Sequence, residues 1–181
     1  MKGQLTIEYL ASFIIFVILI SYIYLSYSAN IPLYVEEVRK ETARSNAYQL
    51  SEILVNDLGE PPNWNQSTNN NELKRIGLSD KNSNKANLIH FNKTEKLRDD
   101  FDCANEAEYK QLQQKLALNK QFSIAISRIL NNGNREILYV CNPPTPIITA
   151  INITVVRIVA INDTRTDPKG ELKPGEVIVQ M

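Results

Sequence analysis

The sequence predicts an α+β protein: a long N-terminal helix, with a transmembrane half and an amphipathic half, followed by a small ectodomain with an antiparallel sheet and one or two short helices. Three observations predict it. Residues 9–35 carry no charged side chain. Ala43, Ala47, Leu50, Leu54 and Leu58 then recur at helical spacing. The second half of the chain holds β-like runs around a strong turn signal, Asn131-Asn-Gly-Asn134.

The uncharged run is long enough to cross a bilayer as a helix, which takes about 20 residues. An ordinary secretory signal is the competing reading, because Ser26 and Ser28 stand at the −3 and −1 positions a signal peptidase requires. Against it, such apolar regions run about 7 to 15 residues. The basic flank is also only Lys2, and Glu8 interrupts it. A carboxylate at the mouth of a hydrocarbon span costs about 3 kcal/mol, so it calls for a partner and a purpose.

Glu8 stands in the frame Met1-Lys-Gly-Gln-Leu-Thr-Ile-Glu-Tyr-Leu10. This segment resembles the class III signal peptide of archaeal type IV pilin-like proteins, whose pattern Gln-x-Ser/Thr-x-Glu is matched at Gln4, Thr6 and Glu8. The resemblance implies a leader of residues 1–3, cut between Gly3 and Gln4 by a prepilin peptidase that leaves the apolar helix attached. It implies a transmembrane and assembly helix over 4–31 and self-assembly with other pilin subunits. In this family the glutamate approaches the new N-terminal amine of a neighbouring subunit, a tolerable burial because the charge is paired.

Pro32 either kinks the helix or begins a new one, being best tolerated in a first turn. An amphipathic extension is expected over 32–59, with Glu36 and Lys40 as an i,i+4 pair, Gly59 as the C-cap and Pro61-Pro62 forbidding resumption. An extracellular α+β domain then fills 60–181. The segment Gly59-Glu-Pro-Pro-Asn-Trp-Asn65 and the later Ile76-Gly-Leu78 resemble a Gly-x-Pro-x-Asn-Trp then Ile-Gly-Leu arrangement of archaeal pilin-like proteins. Trp64 is read as locking the base of the helix onto the domain; ligand stacking is the alternative. Residues 66–87 read as an exposed loop, Leu88–Phe91 as a short strand and Glu106–Leu118 as a helix. Phe122–Ile129, Glu136–Val140, Ile147–Ile161 and Gly175–Val179 read as strands, with Asp167–Gly170 and Lys173-Pro-Gly175 as turns.

Cys103 and Cys141 are the only cysteines, too few and too far apart for a structural zinc site. A disulfide in an oxidising exterior is one reading and two buried thiols the other. Four Asn-x-Ser/Thr sequons occur; Asn65 and Asn162, in loop-like contexts, are the better glycosylation candidates. Asn92 is a third, and Asn152, inside an expected strand, the poorest.

Nothing in the sequence assembles a catalytic, cofactor or metal site. His90 is the only histidine and reads as a strand residue rather than a base. Asp99-Asp100-Phe-Asp102 and the carboxylates of 163–167 lack the Asp-x-Asp-x-Asp-Gly loop of a calcium site and read as solvated turns. With 20 basic and 20 acidic residues the net charge is zero, which gives no electrostatic support for nucleic acid. The expectation is a structural subunit of an archaeal cell-surface filament, membrane-anchored as a precursor and displayed outside. The alternatives are a minor pilin-like adhesin or a singly anchored surface binding protein, and, with least support, an anchored exoenzyme.

Overall fold

The computed structural model describes residues 2–67, 72–80, 85–130, 132–145, 152–163 and 171–181, with side chains from residue 7 onward and excepting Glu171. Its elements are α1 (Lys2–Asn56), a 3₁₀ turn (Trp64–Gln66), β1 (Leu88–His90), α2 (Phe91–Asp100) and α3 (Glu106–Lys115). Strands β2 (Ser123–Ile129), β3 (Arg135–Cys141), β4 (Thr154–Asp163) and β5 (Glu171–Gln180) follow. The chain divides into two compact units, 1–42 and 43–181. Residues 43–56 of α1 thus belong to the second unit, below called the C-terminal domain; the sequence placed that boundary at Gly59.

α1 runs through Pro32 without a break. Proline has no N–H to give the Ser28 carbonyl, and one turn earlier the Asn30 side chain donates to the Ser26 carbonyl at 2.9 Å. The expected Glu36–Lys40 pair forms at 2.7 Å. The helix stops at Asn56, three residues before its expected end, and its last carbonyls are taken by a returning segment. Leu78 N–H donates to Leu54 O at 2.9 Å and Ser79 N–H to Asp57 O at 3.0 Å. That return needs Gly77, since a Cβ there would lie 2.2 Å from Asp57 O. Trp64 closes the same corner. It is 2% exposed, its Nε1 donates to Gly77 O at 2.9 Å, and its ring occupies the space a Cβ on Gly59 would need. Gly59 itself has φ +79, a conformation glycine adopts without strain. Trp64 therefore has the locking role expected of it and is not free to stack on a ligand.

The five strands form one mixed sheet in the order β1-β4-β5-β2-β3. Three pairings are antiparallel, as expected, but β1 lies parallel to β4, Leu88 opposite Ala160. β2 and β3 make the expected hairpin, with Gly133 at φ +80 in its turn; Asn131 lies outside the described residues, as do 164–170 with their expected turn. Lys173-Pro-Gly175 is strand rather than turn. The β2 ladder ends at Gly175, so Pro174 sits where β5 has β4 alone as neighbour and needs no second ladder bond.

The inner sheet face buries Val155, Val159, Ile161, Val177, Val179, Ile124, Ile126 and Tyr139 in one cluster with Leu50 and Leu54 of α1, Leu97 of α2 and Leu112 of α3. Tyr109 of α3 stacks on Phe122, ring centroids 5.1 Å apart. Its hydroxyl donates to Phe122 O and accepts from Phe122 N–H. Near the β2–β3 bulge, Ile126 faces Tyr139 while Ser127 faces Ile137, so Leu138 is the extra residue. The bulge puts Glu136 opposite Arg128, where both it and the fully buried Asp163 of β4 pair with the guanidinium. The outer face carries Val156, Ile178, Ala125 and Val140 in one row across four strands, with Ile158 and Ile137 in the next. Ile158 is 75% exposed and Ile137 68%.

Candidate functional site

In α1, every described residue from Ile7 to Thr42 is exposed. Apolar side chains point in all directions from Ile7 to Val35, the pattern of a helix whose surroundings are themselves apolar. This is one N-terminal helix long and apolar enough to span a membrane. The uncharged stretch 9–35 measures about 40 Å at 1.5 Å per residue, against about 30 Å of hydrocarbon. Tyr9 stands at one end and Tyr34 near the other, the amphipathic rings that favour the two interfaces; Tyr22, Tyr24 and Tyr27 lie between them.

Glu8 lies one residue before this stretch, exposed in the single chain. Gly3 and Gln4 are in the first turn of α1; the Gln4 side chain lies outside the description. The geometry therefore sets one carboxylate at the mouth of an apolar rod whose whole circumference is open to lipid or to other helices.

In the C-terminal domain, Cys103 and Cys141 stand at disulfide-bonding distance with Cα atoms 5.1 Å apart, joining the coil before α3 to the end of β3. The Tyr139 hydroxyl is 3.4 Å from Cys103 Sγ and donates to Phe101 O. Burial, aided by the Asp102 charge, pushes its ionisation far above the ordinary tyrosine range.

The sequons fall otherwise than expected. Asn162 is not in a loop: it is half-buried within β4, and its side-chain nitrogen donates to Asp80 Oδ2 at 2.6 Å. An engaged amide is a poor acceptor for a glycan. Asn152, ranked last, is exposed and precedes β4, with Thr154 also exposed. The β-branched run of 147–161 obscured this, because the strand starts at Thr154 and continues through the polar Asn162-Asp163, where Asp80 takes the Asn162 side-chain nitrogen and Arg128 pairs with Asp163, while Asn162 Oδ1 is buried without a partner. Asn65 is half-buried in the 3₁₀ turn. Asn92 is exposed in the first turn of α2, but the Thr94 of its sequon is fully buried.

His90 ends β1, as expected of a strand residue, and also caps α2, its Nδ1 accepting the Asn92 N–H at 3.2 Å. Burial lowers its proton affinity, opposed in part by Asp80. The unfolded chain therefore binds more protons just below the free histidine value of about 6.5, and stability present above that pH is lost as the pH falls through the window. Acidification through about pH 6.5 is expected to lower the urea midpoint more in the wild type than in His90→Asn, which keeps a capping side chain but does not titrate. Equal losses in both proteins would exclude His90 as the cause.

Among the described residues no group of three or more His, Cys, Asp or Glu side chains is placed to hold a metal. The fold and the exposed rod define an α+β protein with a candidate N-terminal membrane span. Comparison with protein-family models, with curated proteins and with solved structures finds no match.

Proposed function

We propose that the chain is a structural, type IV pilin-like subunit of an archaeal surface filament, processed by a prepilin peptidase before Gln4 and assembled through its apolar helix. The observation that carries this reading is the frame Gln4-x-Thr6-x-Glu8 at the head of one uninterrupted apolar helix, exposed on every side. A rod of that kind has two ways to hide its surface, lipid before assembly and neighbouring rods after it. In a bundle Glu8 is too costly to leave unpaired, so a neighbour's new N-terminal amine fixes the register. The C-terminal domain then faces outward, where an oxidising exterior keeps Cys103 and Cys141 joined and glycans attach at Asn65, Asn92 or Asn152. The role is structural, with no reaction assigned.

The N-terminal sequence of the mature protein from native membranes and shed surface material tests the reading. A start at Gln4 with the helix retained is the expected result, and a start near Ala29 removes the filament. In the same preparation Glu8→Gln is expected to reach the membrane normally but to yield fewer filaments; wild-type yield would remove the register role.

A further inference from the structure

In the C-terminal domain a cleft of about 260 Å³ opens between the Trp64 turn and the start of α2. Its volume matches about nine waters at their share of the liquid, the scale of one small ring rather than a drug-sized molecule.

The floor is built from side chains already held in place. Lys93 is 3% exposed, and its ammonium donates to Leu58 O at 2.7 Å and Ser79 O at 2.8 Å. Asp80 is 4% exposed and accepts from the Asn162 amide. Because His90 Nδ1 accepts the Asn92 N–H, the neutral ring carries its proton on Nε2 and offers a donor. The rim comes from the turn itself: the three amide-bearing residues Asn63, Asn65 and Gln66, and Pro62. The turn is anchored from beneath by buried Trp64.

The lining selects a ligand class. Asp80 and Lys93 cancel in charge, and His90 is neutral above its lowered pKa, so neither an anion nor a cation is favoured. Each of the three amides offers a donor and an acceptor side by side, which is what a hydroxyl, itself both donor and acceptor, requires. Pro62 supplies an apolar wall for the C–H face of a ring. The carboxylate and the imidazole are each engaged in a structural hydrogen bond, and neither has a nucleophile as partner in the lining, so the cleft binds rather than reacts.

We infer that this cleft, formed by Asn63, Asn65, Gln66, Asp80 and His90, binds one neutral, hydroxyl-rich ring: a pyranose sugar at the end of a glycan. It holds whether or not the chain assembles into a filament.

The test uses the full chain, made without N-glycosylation and held in micelles of a detergent with no sugar headgroup. It is titrated with the methyl glycosides of glucose, mannose, galactose and N-acetylglucosamine to about 50 mM, above the millimolar range of weak sites. At least one glycoside is expected to shift the side-chain amide resonances of Asn63, Asn65 and Gln66 saturably. Asn63→Ala and Gln66→Ala, both at the rim and outside the core, are expected to weaken that binding about fivefold to tenfold. No saturable shift with any of the four, or unchanged affinity in both variants, overturns the inference. Repeating the titration on chain glycosylated at Asn65, before and after enzymatic trimming of the outer sugars, separates the sources: binding retained before trimming means a sugar from outside, and binding recovered only after it means that the chain's own glycan seats in the cleft.

Discussion

Replacing Cys103 and Cys141 together by alanine is expected to cost the C-terminal domain about 4 kcal/mol, the loop-closure entropy of a crosslink spanning 38 residues. Domains of this size hold about 5 to 15 kcal/mol in all, so about a quarter of the margin or more is at stake. The position of the bond explains why so much depends on it. β3 is the last strand of the sheet and pairs with β2 alone, and its register shifts at the bulge. The crosslink ties the end of that strand to the coil before α3, and both cysteines are buried. Urea denaturation of the full chain checks the value. A loss below about 1 kcal/mol with unchanged slope would mean that the unfolded chain is already compact around this loop.

Truncating Arg128 to alanine is expected to cost about 3 to 5 kcal/mol, the penalty for removing one partner of a buried pair. Asp163 is fully buried, and the Arg128 side chain is 9% exposed, with its Cζ 5.9 Å from the centroid of the Phe91 ring. Without the guanidinium, Asp163 gives up its Arg128 ion pair in a place water does not reach. The double variant Arg128→Met, Asp163→Leu is expected to recover most of that loss, because buried pairs replaced by apolar groups of similar volume are often neutral. Equal instability in the single and double variants would show that shape, not charge, is what the site requires.

What the sequence made legible follows from where the physics is local. The apolar helix, the Asn-Gly hairpin turn and the alternating strands are read from neighbours in sequence, and all three are present. The helix Phe91–Asp100 was hidden. Its inward stripe is Phe91, Lys93, Thr94 and Leu97, two of them polar, and its cap is a histidine rather than Ser, Thr, Asp or Asn. Lys93 reads as a solvated charge until the Leu58 and Ser79 carbonyls are seen to take it. The parallel β1–β4 pair was equally out of reach, since its strands are some seventy residues apart. Of the candidate sites, the Gln4–Glu8 frame is a local pattern and was visible at once. The cleft is not local: its residues come from the turn, from Asp80, from the end of β1 and from α2, gathered by glycine contacts that composition does not reveal.

The outer face of the sheet bears on how the protein behaves in solution. Its two rows leave Val156, Val140, Ile158 and Ile137 exposed to water in a chain of zero formal net charge and isoelectric point near 6.6. Proteins ordinarily stay dispersed because like-charged molecules repel or because exposed strands carry lysine and glutamate. Here the first means is absent near neutrality, and the second comes down to Glu176, which stands between Ile158 and Ser127 in the second row and pairs with Arg135. Colloidal stability in this molecule is therefore a matter of hydration and salt more than of charge, and it is poorest close to physiological pH.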